Sequence, residues 1–144
     1  MDQAASGRHV LFRVARERYA LPLEAVREVV LPQAPFARVP RTAGAVRGVM
    51  NLRGRVVAVV DLAELMGLEP HGLAAGHGQV VILERDKRAL GLLIGGVLGV
   101  EPVTPEPGSA GGVVRGVAAA SMGAVTVLAP DALAAAAAAL FGPA

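Results

Sequence analysis

The sequence predicts an all-β protein: two small, similar barrels or sandwiches packed on each other, followed by one short C-terminal helix. Three observations predict it. Short apolar runs are separated by glycine, proline or charged turns at strand-like spacing. The set of runs recurs after about 70 residues, too long a period for a solenoid unit and the mark of a duplicated subdomain. Helical patterning is confined to two stretches, each beginning at an aspartate. The length of 144 residues fits one such pair, with roughly two-thirds of the unfolded surface buried on folding.

In the first repeat, Val10-Leu11-Phe12-Arg13-Val14 leads through Arg16-Glu17-Arg18 into Tyr19-Ala20-Leu21-Pro22-Leu23, which reads as a hairpin. The second repeat copies it: Val80-Val81-Ile82-Leu83-Glu84, then Arg85-Asp86-Lys87-Arg88, then Ala89-Leu90-Gly91-Leu92-Leu93. A Val-x-x-Val step follows each hairpin, Val26 to Val29 and Val97 to Val100. Val46-Arg47-Gly48-Val49 matches Val114-Arg115-Gly116-Val117, and each precedes a glycine turn at Gly54 or Gly123 and an apolar strand. Asp61 and Asp131 then stand as N-caps, the first for a short helix closed by Gly67, the second for a helix over 131–141. Three turns of alanine-rich helix are marginal in water, so this last helix should dock on the barrels. The expected division is a first barrel over about 10–68 and a second over about 79–130, joined by the loop Glu69–Gly78; a unit of roughly 70 residues has only a marginal core, so the two should share one.

Composition removes several functions. The chain has no cysteine, which excludes disulfides, zinc–thiolate sites, iron–sulfur clusters and cysteine nucleophiles. No apolar signal core follows Met1, and the longest uncharged runs, 116–130 and 132–144, fall short of the ~20 residues of a membrane helix. A soluble cytoplasmic protein, without direct membrane insertion, is expected. Net charge is only +2, but between Val29 and Val60 it is one-sided: Arg38, Arg41, Arg47, Arg53 and Arg55 occur without a carboxylate. That stretch leaves open an arginine-rich nucleic-acid-binding module. Against it, aromatics make up 3% of the residues, too few for base-stacking platforms. No nucleic-acid partner is therefore expected.

Catalytic constellations are missing from the sequence. His9, His71 and His77 have no metal-ligand spacing, the serines lack the Gly-x-Ser-x-Gly context, and Gly91-Leu92-Leu93-Ile94-Gly95-Gly96 lacks the Lys-Ser/Thr of a phosphate loop. The expectation is no enzyme, no cofactor and no metal. What stands out is Gly48-Val49-Met50-Asn51-Leu52-Arg53-Gly54-Arg55-Val56, a turn between apolar strands with Arg53 at its tip. Arginine there is either a solvated surface group or a binding hot spot.

Together with Tyr19-Ala20-Leu21-Pro22-Leu23, Val26-x-Glu28-Val29, Val59-x-Asp61-Leu62 and Gly91-Leu92-Leu93-Ile94, this block resembles the CheW family of chemotaxis coupling proteins over residues 9–141. The resemblance implies two intertwined five-stranded SH3-like β-barrels. It further implies a non-catalytic adaptor that binds the regulatory domain of a CheA-type histidine kinase and the cytoplasmic tip of methyl-accepting chemoreceptors, with heterologous contacts that close into rings. Expected partner-binding residues are Val26, Glu28, Val29, Gly48, Asn51, Arg53, Val97 and Val100, with Glu28 beside Arg53 at a groove between the barrels. The chain departs from the family pattern at Ala58, Ala63 and Gly95, where proline, a basic residue and an acidic residue are usual. The departures leave a second version of the adaptor, a divergent scaffold of a non-flagellar chemosensory system that binds one partner only.

Overall fold

The computed structural model of the protein describes residues 7–33, 36–37, 44–68, 77–85, 87–106, 108 and 111–141. Arg38, Arg41, His71 and most of the expected Glu69–Gly78 connection lie outside them. The strands are β1 (Arg8–Val14), β2 (Glu17–Pro22), β3 (Val26–Val30), β4 (Val46–Leu52), β5 (Arg55–Asp61), β6 (Gln79–Arg85), β7 (Arg88–Ile94), β8 (Gly96–Pro102), β9 (Val114–Ala120) and β10 (Gly123–Leu128). The α-helices among the described residues are α1 (Leu62–Leu65) and α2 (Pro130–Ala139), and a single 3-10 turn spans Leu23–Ala25.

Two five-stranded sheets form, in the orders β8-β1-β2-β10-β9 and β3-β6-β7-β5-β4. We call them the A and B barrels. Replacing each strand of the B order by its counterpart five places away gives the A order, so the duplication is real. The strands are divided differently from the expected consecutive halves, however. Each barrel takes a hairpin from one repeat and three strands from the other, joined by the parallel pairs β2–β10 and β5–β7. Hairpin exchange of this kind is intramolecular domain swapping. It suits two units whose separate cores are marginal, because neither sheet can be completed without the whole chain.

The register is the same in both. Val46 faces Val60 as Val114 faces Leu128, and Gly48 faces Val59 as Gly116 faces Val127, a constant offset with a bulge at the same step. Each sheet also curls closed in the same way. The chain beyond β3 returns to β4, where Ala37 and Val49 exchange hydrogen bonds of 3.0 and 2.8 Å, and beyond β8 the Glu106 N–H donates to Val117 O at 2.8 Å. Gly48 makes the first closure possible, since a Cβ there would stand 2.3 Å from Ala37 O.

Three apolar clusters form among the described residues. Leu11, Ala20, Val103, Ala118, Val125 and Val127 fill the A barrel, and Met50, Leu52, Val57, Val59, Val80, Ile82 and Leu93 fill the B barrel. The third joins them through Phe12, Val14, Tyr19, Leu21, Val60, Val81, Leu83, Leu92, Ile94 and Leu128. The unbroken run Val80–Leu83 follows from this: Val80 and Ile82 face one core while Val81 and Leu83 face the shared one. The C-terminal helix places Leu133 and Ala137 in the shared core.

Asp61 caps α1 as expected: Oδ1 accepts from the amides of Ala63 at 2.9 Å and Glu64 at 3.4 Å. At the other end Gly67, φ 72°, donates to Glu64 O at 3.1 Å and Leu68 to Ala63 O at 2.8 Å, a Schellman closure. Asp131 does not cap α2. Its N-cap is Ala129 with Pro130 at the first helical position, and Asp131 pairs instead with Arg85. The register explains the discrepancy, because Asp61 aligns with Ala129 rather than Asp131. For the same reason Gly123 is the first residue of β10 rather than part of the turn, which is Ser121-Met122.

Candidate functional site

The β4–β5 turn places Arg53 at φ 50° and Gly54 at φ 88°, the two positive values of a type I′ hairpin. Glycine tolerates this; arginine adopts it at a cost in backbone energy. Asn51 pays part of that cost, its Oδ1 accepting from the Gly54 N–H at 2.7 Å. The Arg53 side chain stays 66% exposed and reaches Glu28, to which it donates a hydrogen bond. Because β3 and β4 are opposite ends of the B order, this ion pair bridges the seam of the closed barrel.

The pair belongs to a larger charged face. Arg27, the bulged residue of β3, lies 3.8 Å from Glu28 and donates to Glu84 at 3.1 Å. Arg55 donates to the other Glu84 oxygen at 2.8 Å and to Lys87 O at 3.3 Å. The Arg53 hydrogen bond holds the Glu28 carboxyl below its ordinary range, with Arg27 adding to the effect, and Arg55 does the same for Glu84. The most exposed of the large apolar side chains among the described residues belong to the same barrel, Val56 on β5 and Leu31 just after β3.

The expected residues thus fall into three groups. Glu28 and Arg53 come together, both on the B barrel. Gly48 and Asn51 have internal work, the first permitting barrel closure and the second holding the turn. The four valines occupy equivalent register positions, Val26 opposite Leu83 and Val97 opposite Phe12, but on different barrels. Val26 and Val29 pack half-buried against the shared core, whereas Val97 and Val100 are exposed on β8 beside exposed Leu98. Sequence reasoning missed Arg27, Glu84 and Leu31. The signal for Glu84 was thin: it is a lone carboxylate at the end of an apolar strand.

The arginine run looks different in space. Arg47 is bound by Asp61 and Glu64, Arg53 by Glu28 and Arg55 by Glu84, so carboxylates from other segments meet each of these arginines. Among the described residues no cluster of three or more His, Asp or Glu side chains could hold a metal, and no helix is long and apolar enough to cross a membrane.

The CheW-like domain family model matches residues 8–137. The chain belongs to the CheW-like family. Curated relatives include the probable chemotaxis protein CheW of Rhizobium etli, 29% identical over 97 residues, covering 67% of this chain and 61% of that protein. The chemotaxis protein CheW of Thermotoga maritima is 31% identical over 94 residues, 65% of this chain and 60% of that one. The matched stretch therefore spans somewhat under two-thirds of these relatives' length. Among solved structures, the scaffolding protein TtCheW of Thermoanaerobacter tengcongensis superposes with a TM-score of 0.74 at 26% identity, covering 85% of this CheW-like chain and 88% of that one. The all-β class and the pair of SH3-like barrels agree with that likeness.

Proposed function

We propose that this CheW-like chain is a non-catalytic cytoplasmic adaptor coupling the tips of chemoreceptors to the regulatory domain of a CheA-type histidine kinase in a chemosensory array. The observation that carries the reading is Arg53. An arginine held at positive φ on a turn tip, mostly exposed and tethered to Glu28, is poorly suited to folding and well suited to presenting a guanidinium. The same barrel carries alternating charges and the exposed Val56 and Leu31, the polar and apolar components of a protein-binding surface. The exposed strip of Val97, Leu98 and Val100 offers a second, apolar surface on the other barrel.

The test is binding of receptor tip and kinase regulatory domain, measured separately, to the wild type, Arg53→Ala and Arg53→Asn. Asparagine tolerates the turn conformation but lacks the guanidinium, so it separates presentation from folding. Both variants should melt like the wild type and bind at least one partner about tenfold or more weakly. Unchanged affinity for both partners would refute the assignment.

One observation favours the single-partner version of the adaptor. At Gly95 an added Cβ would lie 3.0 Å from both Arg13 O and the Arg13 guanidinium, so the acidic side chain usual in the family has no room without moving Arg13. Selective loss of one partner in the wild type itself would select that version.

A further inference from the structure

Arg47 and Arg115 occupy the same place in the two repeats, β4 and β9, and their surroundings can be compared atom for atom. Arg47 donates to Gly44 O at 2.8 Å, to Asp61 at 2.9 Å and to Glu64 at 2.5 Å. In the common register the position of Asp61 is filled by Ala129 and that of Glu64 by Ala132. Both positions are fixed by equivalent backbone bonds, Asp61 N–H to Ala45 O at 2.7 Å and Ala129 N–H to Val113 O at 2.8 Å. Arg115 has therefore lost both carboxylates, and its Nη1 is buried without a hydrogen-bond partner.

The loss extends to the helix. Asp61 does two things at once, binding Arg47 and accepting from the amides of Ala63 and Glu64. Ala129 can do neither, and no side chain caps α2. The amides of Asp131 and Ala132 at its first turn thus lack the acceptor that their counterparts in α1 have. Where that acceptor would be there is a cavity of about 550 Å³, lined by Arg115, Ala129, Pro130, Asp131, Ala132 and Glu24 among others. This lies in the size range of small-ligand sites.

We propose that the cavity beside Arg115 binds a carboxylate supplied from outside the fold, in the place that the Asp61 side chain fills in the first repeat. The incoming group would accept from the half-buried Arg115 guanidinium and the first amides of α2 together. Its source is either a free small acid or an acidic side chain of a partner polypeptide. The other charged groups at the cavity are accounted for: Arg85 pairs with Asp131, and Glu84 is held by Arg27 and Arg55. Glu24 lines the same cavity and opposes an incoming anion, so affinity should be weak, in the millimolar range, and should rise in Glu24→Gln.

The experiment is an NMR titration of the whole protein with two probes, sodium glutarate and the peptide acetyl-Gly-Glu-Gly-amide, each against sodium chloride at equal ionic strength. Saturable shifts of the Arg115 Nε–H and the Asp131 and Ala132 amides are expected with at least one probe and not with chloride. Arg115→Gln should weaken binding about tenfold, the loss of a charge-assisted hydrogen bond. Ala132→Glu restores the carboxylate of the first repeat and should abolish binding while raising Tm. Response to glutarate alone assigns a small acid, and response to the peptide assigns a side chain. Absence of saturable shifts with both probes overturns the proposal, as does an Ala132→Glu protein that binds like the wild type. A wild type in which Glu24 itself occupies the cavity would show no probe binding and a lower Tm in Glu24→Gln, and that too overturns it.

Discussion

In the B barrel the edge strand β3 is fastened to the β4–β5 turn by an exposed ion pair, Glu28 with Arg53. In the A barrel the edge strand β8 is fastened to the β9–β10 turn by Glu101, which accepts from the Ser121 N–H at 2.7 Å and from its hydroxyl at 2.6 Å. The turns are equivalent in register and the seams are equivalent in place, yet the chemistry differs. Ser121 is satisfied within its own barrel and its two bonds hold the Glu101 carboxyl below the ordinary range. Arg53 keeps most of its guanidinium free. The difference teaches that closing the barrel does not require an arginine, which leaves the one in the B barrel available for another purpose. The Arg47 and Arg115 pair inverts the pattern, with the B side satisfied internally and the A side open.

The largest effects should come from the core the barrels share. Phe12 is fully buried in it and stacks on Tyr19 with ring centroids 6.3 Å apart. Phe12→Ala should cost about 3–5 kcal/mol. Because each barrel is built from both repeats, calorimetry should still give one transition, with calorimetric and van't Hoff enthalpies equal. Two separated transitions would show that the barrels are independent despite the exchanged hairpins.

Next in size is barrel closure. Gly48→Ala puts a Cβ against Ala37 O at a backbone φ of 137° and should cost about 2–3 kcal/mol. Gly54→Ala also has a positive φ but meets nothing within 4 Å, so it should cost only about 1 kcal/mol. Denaturant midpoints measure both. Equal losses would mean that the seam at Ala37 is soft.

This contrast shows what was legible in the sequence. Gly54, the Asp61 cap and the Gly67 stop are local devices whose geometry is set by a few neighbouring residues, and all were readable. The repeat was readable too, because paired strands carry similar patterns. The hairpin exchange was not, since similarity says which strands are alike and not which pair. The second repeat was read out of register at its end because Gly123 and Asp131 are conspicuous, whereas the backbone bonds that fix the register leave no trace in residue type. Of the charged face, Arg53 stood out by its place at the turn tip, whereas Glu28 came only from the family resemblance. Glu84 comes to them from a different repeat through the exchange itself.

The two equivalent arginines give a smaller effect with opposite signs. Arg47 is about one-third exposed and binds two carboxylates, so Arg47→Ala should cost about 1 kcal/mol after allowance for solvent screening. Arg115→Ala removes an unsatisfied buried donor and should be neutral or slightly stabilising. Equal destabilisation by both would show that Arg115 has found a partner within the chain.

The smallest expected effect lies in the A barrel at His9, whose register counterpart in the B barrel is Val80. His9 is fully buried, with Nδ1 2.5 Å from Gly7 O and Nε2 unpartnered. Burial lowers its pKa and the nearby Arg115 charge works in the same direction, against the Gly7 hydrogen bond and Glu24. The folded protein therefore holds His9 neutral under conditions in which the unfolded chain binds a proton. Neutral burial is fully tolerated above the ordinary imidazole value of 6.5; as pH falls below it, the unfolded state takes up the proton first and stability declines toward the depressed folded value. His9→Val should change stability at pH 7.5 by no more than about 1 kcal/mol. It should also flatten the loss between pH 6.5 and the onset of carboxylate titration, where Glu28, Glu84 and Glu101, all with lowered pKa, take over. Urea midpoints across that window measure the slope directly. An identical slope in wild type and variant would place the acid sensitivity in the carboxylates of the two seams and remove His9 from the account.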